Sequence, residues 1–142
     1  MIQRILVPID GSDHSRKVIE LASDIALRYK AKVHIVHVVS PLDRAHELDD
    51  ILLHEVEKNY QKFARRIIDE AERTFKKKGV KSYQSAILRG DPAQEILQFA
   101  KENGVDMIVM GSRGAGAADM LMFGSVSHKV SHLSKCTCIT VK

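Results

Sequence analysis

Residues Gly111-Ser112-Arg113-Gly114-Ala115-Gly116-Ala117-Ala118 put three glycines into six positions, next to a hydroxyl and a guanidinium. Glycine lets the backbone turn sharply and approach a ligand closely. Successive N–H groups in such a loop form an anion nest, and an arginine adds a fixed positive charge. Ten residues beyond Gly114 stands Gly124-Ser125-Val126-Ser127, at the start of a helical pattern. A helix N-terminus offers free N–H groups and a partial positive charge, both suited to phosphate. Two anion-binding elements on one loop-helix unit fit a polyphosphate ligand. The same glycines would also serve tight turns in a surface loop, and glycine content alone leaves both readings open.

A second candidate is Asp10, in Val7-Pro8-Ile9-Asp10-Gly11-Ser12 at the end of the first apolar run. A carboxylate at a strand end can accept hydrogen bonds from ribose hydroxyls. Asp10 or Ser12 could equally cap the following helix.

Two familiar phosphate motifs are excluded. Gly111 to Gly116 begins like a P-loop, but Ala117 and Ala118 replace the lysine and the serine or threonine that reach phosphate and Mg²⁺. A dinucleotide fingerprint would follow the first strand, where no glycine-rich stretch occurs. No nucleophile elbow is present, nor a paired-carboxylate signature, so no catalytic residue is assigned. Cys136 and Cys138 are too few for a structural zinc site, and a bridge across one residue is strained. They read as buried or partly buried thiols. His128 and His132 fall at i and i+4 without the protease glutamate, and read as exposed residues on a solvated face. His34 and His37 read as satisfied core or strand-end histidines.

Five short apolar runs must position these groups: Ile2 to Ile9, Lys32 to Val39, Lys81 to Leu88, Met107 to Met110 and Cys138 to Val141. They are continuous rather than alternating, as expected for strands covered on both faces. Helical spacing lies between them. Val18, Leu21, Ala22, Ile25 and Tyr29 form a buried stripe on a first helix. Leu48, Leu52, Val56, Tyr60, Phe63, Ile67, Ala71 and Phe75 carry the same spacing through the longest one. Ala93, Ile96, Leu97 and Ala100 mark a third, with Asp91 as N-cap and Pro92 at its first position. Val126, Val130 and Leu133 mark a fourth. Glu47, Asp49 and Asp50 open the long helix, Lys76-Lys77-Lys78 suits its negative end, and Gly79 closes it. The order strand-helix, four times, then strand predicts a parallel sheet with helices on both faces. Ligands in such folds bind beyond the strand C-termini where the strand order reverses. That singles out the loops after Ile9, Val39 and Met110.

Composition narrows the class. The 142 residues fit one domain, 1–142. With 44% hydrophobic and 28% charged residues, the chain is a globular protein rather than a disordered one. No run approaches ~20 apolar residues, so no membrane partner is expected. Two cysteines and no signal-peptide pattern around Met1 to Asp10 predict a cytoplasmic location. Residues 72–142 carry 11 basic against 6 acidic side chains, while 1–71 carry 11 against 12, so the C-terminal half prefers anions. Dispersed basic residues and 5% aromatics argue against nucleic acid.

Taken together, Val7-Pro8-Ile9-Asp10, His37-Val38-Val39 and the pattern Gly111-x2-Gly114-x9-Gly124-Ser125 resemble the universal stress protein family in its ATP-binding form. The likeness runs along essentially the entire chain. It implies an α/β, Rossmann-like three-layer sandwich with a five-stranded parallel sheet in the order 3-2-1-4-5 and about four helices. It implies a stress-response protein holding ATP, with Mg²⁺ carried by the phosphates. Carried over by position, Pro8 and Asp10 flank the adenosine, and Val38 and Met110 contact the adenine. Gly111, Ser112, Arg113 and Gly114 surround the ribose and phosphates. Gly124, Ser125, Val126 and Ser127 hold phosphates at a helix start. A homodimer through the C-terminal edge strand is implied too, since Ile139 and Val141 on an open edge invite pairing, as is an unidentified regulatory partner. Two departures stand out: Thr137 between the cysteines where relatives commonly have proline, and Asp119 ahead of Gly124. The function expected is a nucleotide-dependent switch or binding module. The alternatives are a slow ATPase or other adenine-nucleotide enzyme, and a nucleotide-free dimeric interaction module. The adenylyl-transfer and pyrophosphatase branches of the wider fold lack their signatures here.

Overall fold

Strands β1 (Arg4–Pro8), β2 (Lys32–Val39), β3 (Tyr83–Arg89), β4 (Met107–Gly111) and β5 (Thr137–Val141) form one parallel sheet in the computed structural model, which describes residues 1–42, 44–112 and 124–142. The order is β3-β2-β1-β4-β5, as the resemblance implied. Helices α1 (His14–Tyr29), α2 (Asp50–Lys77), α3 (Pro92–Glu102) and α4 (Ser125–Leu133) make the crossovers, and a short 3-10 turn spans Ala45–Glu47. The chain runs outward from β1 through β3, returns across the sheet and continues to β5. Right-handed crossovers then put helices on opposite faces for the two directions.

Alternation along the strands feeds two cores. Ile5 and Val7 pack with Val33, Ile35 and Val109 beneath Val18 and Ala22 of α1 and Ile68 and Phe75 of α2. Leu6, Val36, Ile108 and Met110 pack on the other face against Ala93 and Ile96 of α3 and Val130 of α4. Both faces being covered explains the unbroken apolar runs. Each fully buried Val, Leu or Ile contributes about 1.5–3 kcal/mol relative to exposure.

The helix signals act as expected at several ends. The Asp49 carboxylate accepts from the Leu52 N–H at 2.7 Å, and Asp91 accepts from Gln94 N–H at 3.0 Å with Pro92 in the first turn. Gly79 takes φ +97°. Its N–H donates to Lys76 and the Val80 N–H to Phe75, each at 3.0 Å, the paired bonds of a Schellman stop.

The apolar stripes are shorter than their spacing predicts. The first buried residue of α2 is Ala64, so its N-terminal half runs past the sheet. Leu48 lies before the helix, closing the 3-10 turn. Tyr29 is 49% exposed and Leu133 60% exposed. Both stand at the last position of their helix, where the sheet no longer lies beneath them.

Candidate functional site

The C-terminal ends of β1, β2 and β4 and the first turns of α1, α3 and α4 enclose a cleft of about 440 Å³. That volume is within the range of small-molecule sites. Pro8 ends β1 and Asp10 follows it; Val38 comes from the end of β2, Met110 and Gly111 from the end of β4. Gly124, Ser125, Val126 and Ser127 open α4 on the same cleft. Nine of the twelve residues singled out in the sequence therefore converge. Ser112 is buried and not on the cleft wall. Its carbonyl accepts from Gly124 N–H at 2.6 Å and from the Ser127 hydroxyl at 2.8 Å, which ties β4 to α4. Arg113, Gly114 and Asp119 lie outside the described residues.

The loop after β1 is shaped by Asp10 and Gly11. One Asp10 carboxylate oxygen accepts from Ser12 N–H at 2.9 Å and from the Ser15 hydroxyl at 3.5 Å. The N-cap of α1 is Asp13, which makes no side-chain cap bond. Asp10 thus folds the turn rather than capping the helix. Gly11 has φ +80°, and a Cβ there would meet Ile67 Cδ1 at 2.9 Å. Glycine takes that φ without strain.

His37 holds the same loop from below. Its Nδ1 lies 2.8 Å from the Ile9 carbonyl. A carbonyl can only accept, so Nδ1 carries a proton. The His37 ring also stands edge-on to Phe63 of α2 at 6.5 Å. His37 is thus satisfied, as expected. His34 is not: it is buried and edge-on to Phe99, and its Nε2 has no hydrogen-bond partner. Burial first, then Lys32 and Arg4, lower its pKa, so it is held neutral.

Among the described residues, two helix N-termini meet at the cleft without side-chain caps. α1 contributes His14 and Ser15, and α4 contributes Ser125 and Val126. Each leaves first-turn N–H groups without helical acceptors. The hydroxyl of Ser127 is committed to the Ser112 and Gly124 carbonyls, which leaves Ser125 as the exposed hydroxyl in the first turn of α4. The opposite wall is apolar, from Pro8, Val36, Val38, Ile96 and Met110.

Ser12, His14, Ser15, Ser40, Pro92 and Ile96 also line the cleft and were not singled out from sequence. The rule that ligands sit at strand C-termini reaches the serines. Nothing in the sequence reaches Pro92 and Ile96, whose placement depends on where the α3 crossover returns.

Elsewhere, His128 and His132 are exposed, their rings stacked 6.3 Å apart. Cys136 and Cys138 are free and half-buried, and burial pushes the Cys138 thiol up. Cys136 precedes β5 rather than lying on it. Among the described residues, no three His, Cys, Asp or Glu side chains gather to hold a metal, and no helix is long and apolar enough to cross a membrane.

A family model described as the universal stress protein family matches residues 1–142. "Universal stress protein YxiE" of Bacillus subtilis is 37% identical, with all of both chains covered. The structure of universal stress protein UspA from Lactobacillus plantarum superposes with a TM-score of 0.86 at 23% identity, covering 99% of this chain and 97% of that one. A universal stress protein solved in complex with cAMP superposes at 0.75 with 26% identity, covering 99% and 96%.

Proposed function

The chain belongs to the universal stress protein family, and on that premise we propose that it binds an adenine nucleotide in the cleft above β1 and β4 and acts as a nucleotide-dependent regulatory switch. The nucleotide is ATP, with Mg²⁺ carried on its phosphates. The observation that carries this reading is the meeting of two helix N-termini, α1 and α4, uncapped among the described residues, opposite an apolar wall. Free N–H groups and helix dipoles suit phosphates. Pro8, Val38 and Met110 suit the flat face of a base, and Asp10 suits the ribose. Gly111, Gly124, Ser125 and Val126 suit the phosphates by their place on the cleft; Arg113 and Gly114, outside the described residues, are assigned to the same phosphates by the family resemblance alone. Ser112 and Ser127 join the end of β4 to the start of α4. The relative solved with cAMP supports an adenine ligand. The reading includes a cytoplasmic protein that forms a homodimer through β5, an edge strand of the sheet.

Calorimetric titration of ATP into nucleotide-free protein tests the site. Gly124 has φ −62° and ψ 153°, a conformation open to any residue, so Gly124→Val puts a branched side chain at the phosphates without straining the backbone. The variant is expected to stay folded and lose about 100-fold or more in ATP affinity. A folded variant with unchanged affinity overturns the assignment. Denaturing freshly purified protein and identifying what it releases, by chromatography and mass spectrometry, tells whether adenine nucleotide is the resident ligand.

A further inference from the structure

The N-terminal half of α2 carries an apolar seam that, among the described residues, stays largely uncovered, with Phe63 at its inner end against His37. The helix has 28 residues, about 42 Å at 1.5 Å each, while β2 beside it has eight residues, about 26 Å. Its buried residues are Ala64, Ile67, Ile68, Ala71 and Phe75, all in the C-terminal half. In the stretch 50–63, Leu52, Tyr60 and Phe63 are 47%, 40% and 53% exposed, and Leu53 and Val56 are half-buried. At about 100° per residue, these five fall within about a 100° arc. A soluble protein does not leave such a stripe open without a use.

Charge identifies the occupant. Between Glu47 and Glu57 the chain has Glu47, Asp49, Asp50, Glu55 and Glu57 and no lysine or arginine. Between Lys58 and Arg66 it has Lys58, Lys62, Arg65 and Arg66 and no acid. The seam crosses from an acidic block into a basic one. Glu57 is held by Arg89 at 2.8 Å, which fixes one flank against the end of β3. Glu55 and Lys62 stand exposed on the other.

We propose that this seam is a self-association surface, on which α2 of a second copy lies antiparallel. Two-fold symmetry makes the surface its own complement. Leu52 and Leu53 of one copy then meet Phe63 of the other, and Val56 meets Tyr60. The acidic block of each faces the basic block of the other, and Glu55 comes beside Lys62 twice. A parallel copy would set acid on acid and base on base. This surface is separate from β5, on a different element and at the other end of the sheet order.

Analytical ultracentrifugation over about 1–100 µM tests it. Val56→Glu puts a charge in the seam of an otherwise exposed stretch and is expected to weaken self-association about tenfold or more. Glu55→Lys and Lys62→Glu each set like charges together and weaken it about five- to tenfold. The double variant Glu55→Lys with Lys62→Glu rebuilds both pairs and restores it. Circular dichroism confirms that each variant is folded. Self-association unchanged in all three single variants overturns the proposal, as does a wild type that stays monomeric at about 100 µM. Pelleting with anionic phospholipid vesicles, abolished by Val56→Glu in a monomeric protein, overturns it too and makes lipid the occupant.

Discussion

Single residues set the cleft's shape and its response to pH. At Gly11, φ +80° disfavours any side chain, and a Cβ would displace the Ile67 Cδ1 end that lies 2.9 Å away. Gly11→Ala is expected to cost about 1–2 kcal/mol in urea unfolding, from the left-handed backbone alone, and to lower nucleotide affinity because Asp10 and Ser12 shift with it. An affinity unchanged in a destabilised protein would separate the turn from the site. His34 has a different effect. Burial holds its folded pKa below the usual value. Between that depressed value and about 6.5, the unfolded chain binds the proton and the folded chain does not. Stability is therefore complete above about pH 6.5 and declines as the pH falls beneath it. His34→Leu removes the proton site and the orphaned Nε2 together. Its unfolding free energy is expected to be flatter than that of the wild type between about pH 5 and 7. Parallel curves for the two proteins would assign the acid sensitivity to other groups.

Elements differ in what holds them. The C-terminal half of α2 has five buried side chains, and the half before Ala64 has none. Amide hydrogen exchange is expected to be fast over 50–63 and slow over 64–77 in dilute protein. If the seam takes a second copy, protection of 50–63 rises with protein concentration; protection independent of concentration argues against that contact. The cap of α3 serves as an internal control. Asp91→Ala is expected to cost about 0.5–2 kcal/mol, with ATP affinity retained, because Asp91 caps its own helix and does not line the cleft. Legibility from sequence divides along the same line. Asp49, Asp91, Pro92 and Gly79 mark their helix ends because a cap is a local event, complete within a few residues. The strands showed themselves as unbroken Val- and Ile-rich runs because both faces are covered. The exposed half of α2 could not be told from the buried half. Leu52 and Phe63 keep the same spacing as Ile67 and Ala71, and periodicity records a face without saying what lies against it. In the cleft, Gly111, Gly124 and Asp10 stood out by residue type. Pro92 and Ile96 did not, because only the return of the chain from β3 to β4 brings α3 over the site.

Across the whole molecule, one side chain of the α2 seam reaches a residue that lines the cleft. Phe63 belongs to the seam, stands edge-on to His37 and lies beside Gly11, while His37 is bonded to Ile9 at the cleft. A ligand that orders the Ile9–Ser12 turn therefore acts on the face that a second copy would cover, and that copy acts back on the turn. A nucleotide that binds only the folded chain adds about 2.7 kcal/mol at a hundredfold excess over Kd. For a chain of this length that raises Tm by about 8–10 °C. Such a rise reports occupancy and nothing more, since a ligand with equal affinity for two states shifts neither. A switch requires coupling, and coupling is reciprocal. Saturating ATP is expected to change the self-association constant by about five- to tenfold, and ATP affinity is expected to differ by the same factor between monomeric and associated protein. Phe63→Leu keeps an apolar side chain in the seam and removes the ring from His37. It is expected to retain both binding steps while bringing both factors toward one. In the wild type, an ATP affinity independent of protein concentration would mean occupancy without communication, and the cleft would then serve to hold nucleotide rather than to signal it.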